Sequence, residues 1–109
     1  MTSSFSSWLS DEDGEVVLRL AGDLDTESEP EFELAVEALG GPRERLVFDM
    51  SAVTFIDSGG LRVIARTLTR LQQDGGSLVL RGPSPRVIRA LEITSLNKVD
   101  IVQLDPAWG

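Results

Sequence analysis

The chain has 109 residues, a formal net charge of −8, no cysteine and no histidine. That length suits one domain with a single core, and the missing residues exclude disulfides, thiolate chemistry and any serine-histidine-aspartate triad. The acidity argues against nucleic acid and anionic lipid as broad partners, and Met1 to Ser10 lack the basic residues and apolar run of a secretory signal. No window approaches the ~18 consecutive apolar residues of a membrane span, so no membrane insertion is expected.

Trp8-Leu9 opens a short edge strand, and Asp11-Glu12-Asp13-Gly14 is a turn. From Glu15 to Ala21 the pattern alternates, with Val16, Leu18 and Leu20 facing one way and Val17 and Arg19 the other, which predicts a hairpin with the preceding segment. Gly22-Asp23-Leu24-Asp25 reads as a loop carrying two carboxylates. Ser28 and Glu31 have the spacing of a capping box, and Phe32, Ala35, Val36 and Leu39 share one face of the helix that follows. Gly40-Gly41-Pro42 ends that helix, whose glutamates form an acidic outer face.

Leu46-Val47-Phe48 is a strand buried on both sides and ending at Asp49. A polar step leads to Phe55-Ile56 and then to Asp57-Ser58-Gly59-Gly60. Leu61, Ile64, Ala65, Leu68 and Leu71 recur with helical period, so a helix runs from about Ser58 to Gln73 with Asp57 as its N-cap. Ser77 to Leu80 is another central strand; Ser84 and Pro85 start a helix burying Val87, Ile88 and Leu91. Ile101, Val102 and Leu104 form a last strand or an extended tail, and Trp108 is a terminal packing or contact residue. Strands alternating with helices predict an α/β domain with a largely parallel sheet and an antiparallel edge.

Two readings of the Ser58 turn stand. In one, Asp57 and Ser58 only cap a helix. In the other, Ser58 is a modifiable contact: a phosphate adds about 1.5 to 2 negative charges, which free N–H groups at a helix start tolerate but the nearby Asp23, Asp25 and Asp49 and a docked partner would not. A serine nucleophile lacks a base, because Lys98 is the only lysine and its spacing does not suggest a pair. An aspartyl-phosphate acceptor of receiver type would have to use Asp49 with Asp11, Asp13 and Lys98, and Asp11 and Asp13 sit in a turn. Gly59-Gly60 and Gly75-Gly76 form no phosphate cradle, so no catalytic residue, metal or cofactor is assigned.

Taken in order, these pieces resemble the STAS domain, in particular the small anti-sigma factor antagonists of bacteria. The family pattern is an apolar strand with Asp, then Asp-Ser-(Ser or Thr)-Gly, a helix, Gly-Gly, a strand, a proline-started helix and a Leu-rich tail. It covers about residues 15 to 104, and Gly22-Asp23-Leu24-Asp25 matches the family's Gly-(Glu or Asp)-Leu-Asp loop. The resemblance implies one domain over residues 1–109, with a core at about 8–104. The implied fold is a mixed sheet of four to five strands with helices packed mainly on one side.

It further implies a cytoplasmic regulator that is no enzyme. The unmodified protein would bind an anti-sigma factor with a histidine-kinase-like ATPase fold and so release a sigma factor. That partner would supply the ATP and phosphorylate Ser58, and a PP2C-type serine phosphatase would reverse the step. Asp23, Asp25, Asp57, Ser58, Gly59, Gly60 and Arg62 would form the partner-binding surface. The alternative is a non-switching scaffold or a transporter-associated interaction module.

Three departures from the pattern follow. Gly59 stands where serine or threonine is usual, which removes a hydroxyl and loosens the helix start. Ser95 stands where glycine is common, which matters if positive φ is needed there. The chain also ends soon after its last apolar run, so much of a final helix seen in relatives is expected to be missing.

Overall fold

Asp13 and Gly14 turn the chain back on itself with φ of 53° and 82°. Positive φ at both central residues is what a two-residue hairpin turn of matching twist requires. This turn joins β1 (Ser6–Glu12) to β2 (Glu15–Leu24) as an antiparallel pair. The computed structural model describes residues 4–40 and 45–105; the sequence expectations for Gly41, Pro42 and Trp108 lie outside them.

Beyond β2 come α1 (Glu29–Glu37), β3 (Arg45–Ile56), α2 (Ser58–Asp74), β4 (Ser77–Arg81), α3 (Pro85–Ile93), a 3-10 turn at Leu96–Lys98 and β5 (Val102–Asp105). The five strands lie side by side in chain order, and every pair except β1 with β2 is parallel. Each parallel connection carries a helix or helical turn, as parallel pairing demands. This is the expected mixed sheet, and the last apolar segment is a fifth strand rather than a tail.

Helices cover one face of the sheet. Leu18, Leu20, Leu46, Phe48, Leu78 and Leu80 point into a single core with Phe32 and Val36 of α1, Val63, Ile64, Leu68 and Leu71 of α2, and Val87 and Leu91 of α3. Phe32 stands edge-on to Phe48, with ring centroids 5.7 Å apart. The opposite face carries a separate buried row of Val17, Val47 and Val79, one from each central strand. Among the described residues, no helix is long and apolar enough to cross a membrane.

Several local expectations change. Strand β2 continues through Gly22 and Asp23 to Leu24, so the loop begins at Asp25. β3 does not end at Asp49 but runs unbroken to Ile56. The intervening polar residues are outward positions of a long strand; Val53 and Ile56 supply its buried ones. The buried stripe of α2 is Gly60, Val63, Ile64, Thr67, Leu68 and Leu71, while Leu61 and Ala65 are only half-buried. The face is therefore rotated toward small and β-branched residues. Likewise Ser28 does not cap α1 through its side chain, Leu39 is buried just beyond that helix, and Ile88 is half-buried.

Ser95 has φ of 61°, so the positive-φ conformation is needed at this exposed position after α3. A residue with a Cβ costs about 1–2 kcal/mol there, partly offset by the lower unfolded-state entropy of serine relative to glycine. Ser95→Gly is expected to raise stability by roughly 0.5–1 kcal/mol in urea unfolding.

Candidate functional site

The parallel pairing of β2 with β3 runs out to Leu24 opposite Ile56. That register places Asp23-Leu24-Asp25 beside Phe55-Ile56-Asp57, at the carboxyl ends of two central strands. One more bond extends the ladder past the strands: the Asp57 N–H donates to the Leu24 carbonyl at 3.0 Å. Asp57 is thus tied to β2 by its backbone before α2 begins.

The Asp57 side chain caps that helix. Its Oδ1 accepts from the Gly59 N–H at 2.8 Å, and its carbonyl accepts from the Leu61 N–H at 3.0 Å. Ser58 is the first residue of α2 and is exposed. Its hydroxyl makes no hydrogen bond to any described residue. The two residues of the turn are therefore divided: Asp57 caps, and Ser58 is presented outward without a structural duty.

The β2–α1 loop is held by a buried hydroxyl. Ser28 Oγ donates to the Asp23 carbonyl at 2.7 Å and accepts from the Asp25 N–H at 3.0 Å. In return the Ser28 N–H donates to Asp25 Oδ1 at 2.9 Å. Ser28 is fully buried. Asp23 Oδ1 accepts from Thr54 Oγ1 at 2.9 Å, which links the loop side to the outward edge of β3. Asp23 and Asp25 of the expected contact surface are thus fixed by Ser28, which its spacing marked only as a helix cap, and by Thr54, which sequence spacing did not single out.

Gly59 and Gly60 are buried because the loop lies directly on Gly59 and the ends of β2 and β3 on Gly60. A Cβ on Gly59 would stand 2.5 Å from the Thr26 nitrogen and 2.6 Å from the Asp25 carbonyl carbon and oxygen. One on Gly60 would stand 2.5 Å from the Leu24 carbonyl oxygen. At Gly59 all three are backbone atoms of a stapled loop, with no flexible side chain to move aside; a Cβ on Gly60 would also face Leu24 Cβ at 2.7 Å and Ile56 Cγ1 at 2.9 Å. The missing hydroxyl at Gly59 therefore has a steric reason: this chain brings its β2–α1 backbone against the first turn of α2 too closely for any side chain. The expectation that Gly59 loosens the helix start gives way to a packed contact.

The STAS domain model matches residues 9–106. This chain belongs to the STAS domain family. It is 34% identical over 92 residues to the anti-sigma-B factor antagonist of Listeria monocytogenes, covering 83% of this chain and 78% of that protein. The Bacillus subtilis anti-sigma-B factor antagonist is 30% identical over 87 residues, 80% of each chain. A crystal structure of an anti-sigma factor antagonist from Mycobacterium paratuberculosis superposes with a TM-score of 0.80 at 32% identity, covering 94% of this chain and 86% of that one.

In this STAS domain, Arg62 lies one helical turn after Ser58 and ties α2 to α1. Its Nη2 bonds Glu29 Oε1 at 2.8 Å and its Nε donates to Glu29 Oε2 at 3.2 Å. Arg66 reaches Glu29 Oε2 at 3.0 Å and Glu33 Oε2 at 2.9 Å. The Arg62 bonds, with Arg66 assisting, hold the Glu29 carboxyl below its ordinary pKa despite partial desolvation, and Glu29 in turn raises the pKa of Arg62. The glutamates predicted to form a free acidic face are thus partly spent on a bridge between helices.

Asp49 does not join this site. It lies mid-strand on the helix-free face, nearly buried, accepting from Ser51 N and Oγ at 3.0 and 2.7 Å and facing Arg19 Nε at 3.8 Å. Asp11 pairs in register with Val16 near the opposite end of β2, and Lys98 sits in the 3-10 turn beside α3 and β5. The described residues hold no group of three or more metal-ligating side chains. The parts of a receiver-type acceptor site are not brought together.

The close approach at Gly59 makes a quantitative prediction. Gly59→Thr is expected to lose about 1–3 kcal/mol of stability by overpacking, whereas Ser58→Ala changes it by less than about 0.5 kcal/mol. Urea unfolding of both variants checks this; equal midpoints would mean that the loop yields freely.

Proposed function

We propose that this STAS domain is an anti-sigma factor antagonist switched by phosphorylation of Ser58. Unmodified, it binds a kinase-type anti-sigma factor with a histidine-kinase-like ATPase fold and frees the sigma factor. Phosphorylated, it lets that partner go. ATP belongs to the partner, and a PP2C-type serine phosphatase restores the unmodified form. The domain acts in the cytoplasm as a binding regulator rather than an enzyme.

The observation that carries this reading is the unengaged, exposed hydroxyl of Ser58 next to a cap supplied entirely by Asp57. Modification there removes no hydrogen bond among the described residues. The added charge falls at a helix start, where free N–H groups offset it, while Asp23, Asp25 and Asp57 make the same surface strongly negative toward a docking partner. The names borne by the curated relatives support the anti-sigma factor antagonist part of this reading.

A non-switching scaffold would use the same surface without modifying Ser58. Wild-type, Ser58→Ala and Ser58→Asp baits presented to an extract of the native cells separate the two. Wild type and Ser58→Ala are expected to retain an ATPase-fold anti-sigma factor, and Ser58→Asp to lose at least about tenfold in affinity, roughly 1.4 kcal/mol, with unchanged circular dichroism. Mass spectrometry of the native protein is expected to place phosphate on Ser58. Equal capture by all three baits, with Ser58 unmodified under every growth condition, would refute the switch.

A further inference from the structure

We propose that Arg62 is the internal counter-ion of a phosphate on Ser58, and that phosphorylation draws its guanidinium from Glu29 to the phosphate. This inference rests on the phosphorylation reading above.

Ser58 and Arg62 are four residues apart on α2, so their side chains project from the same face within one turn. The anion would stand N-terminal to the cation, the favourable order for such a pair. Among the described residues Arg62 is held by Glu29 alone, whose carboxylate carries one charge against the phosphate's roughly 1.5 to 2. Both partners are accessible: half of the Arg62 side chain is exposed, as is Ser58. Asp57 already contributes to raising the Arg62 pKa, after the larger effect of Glu29, so the guanidinium lies within the field of the Ser58 turn.

Departure of Arg62 leaves no orphan behind. Glu29 keeps Arg66 at 3.0 Å, and Arg66 keeps Glu33 at 2.9 Å. Helix α1 also stays packed through Phe32 and Val36. Glu29 thus has two guanidinium partners, one of which can be released while the other maintains the bridge. Charge-assisted bonds from guanidinium to phosphate are short and two-pronged, which favours the transfer. No atom is exchanged beyond the phosphoryl group already on Ser58; only the ion pair changes partner.

Two effects on the surface follow. Phosphorylation adds negative charge at Ser58 and also neutralises the nearest cation on α2, so a partner that contacts Arg62 loses an attraction as well as meeting a repulsion. The α1–α2 bridge becomes the element that senses modification, through a side chain separated from its present partner by 33 residues of sequence.

The test uses the full chain carrying phosphoserine installed at position 58 during translation, so that no kinase is needed. The Nε–Hε signal of Arg62, assigned with Arg62→Lys, is compared by NMR in the modified and unmodified chains, together with the side-chain carboxyl signal of Glu29. Phosphorylation is expected to shift both and to leave the Arg66 signal in place. In a second arm, phosphorylation is expected to lower Tm by about 2 °C or more beyond the wild-type change once Arg62 is replaced by Gln. Unchanged Arg62 and Glu29 signals, or equal Tm changes with and without Arg62, would overturn the proposal. Binding of the modified chain to the anti-sigma factor is read separately: undiminished binding would end the switching function while leaving the Arg62 transfer standing.

Discussion

The structure depends on one contact between backbones. The carboxyl end of β2 and the loop leaving it lie so close to the first turn of α2 that residues 59 and 60 have no room for a Cβ. Around that contact the chain places its other ties: the Asp57 N–H on the Leu24 carbonyl, the Asp57 cap on Gly59, and the Ser28 hydroxyl between Asp23 and Asp25. Each fixes a neighbour of Ser58 and leaves Ser58 itself uncommitted. A rigid turn bearing a free hydroxyl suits a reversible modification, because the group added there alters the surface while the ties beneath it remain.

The sequence made much of this turn legible for local reasons. A helix start is a short-range event, so Asp57 before an apolar stripe with helical period is sufficient to place the cap and the span of α2, though not which residues of its stripe are most deeply buried. The central strands were equally readable, because three consecutive apolar residues at Leu46-Val47-Phe48 and Leu78-Val79-Leu80 fit burial on both faces. The order of strands and helices pointed to a parallel sheet, and the motif order pointed to the family.

What stayed hidden is what depends on distant neighbours. The second half of β3 pairs with β2 but lies beyond its pairing with β4, so its outward residues are polar and its periodicity reads as a loop. Asp49 reads as a strand end for the same reason. Gly59 read as a missing hydroxyl because no local pattern reveals a loop folded from more than thirty residues upstream. Ser28 has the spacing of a capping box, yet its hydroxyl finds nearer partners in Asp23 and Asp25. The pairing of Arg62 and Arg66 with Glu29 is also invisible locally, since it appears only when α1 and α2 lie side by side.

The central claim is that charge at Ser58 governs binding without governing the fold. Calorimetric titration of the anti-sigma factor with the unmodified chain and with the chain fully phosphorylated on Ser58 tests it most directly. The account predicts an affinity at least about tenfold weaker for the phosphorylated chain, with both chains giving the same native amide hydrogen-exchange protection in β2, β3 and β4. Equal affinities from two equally folded chains would contradict it.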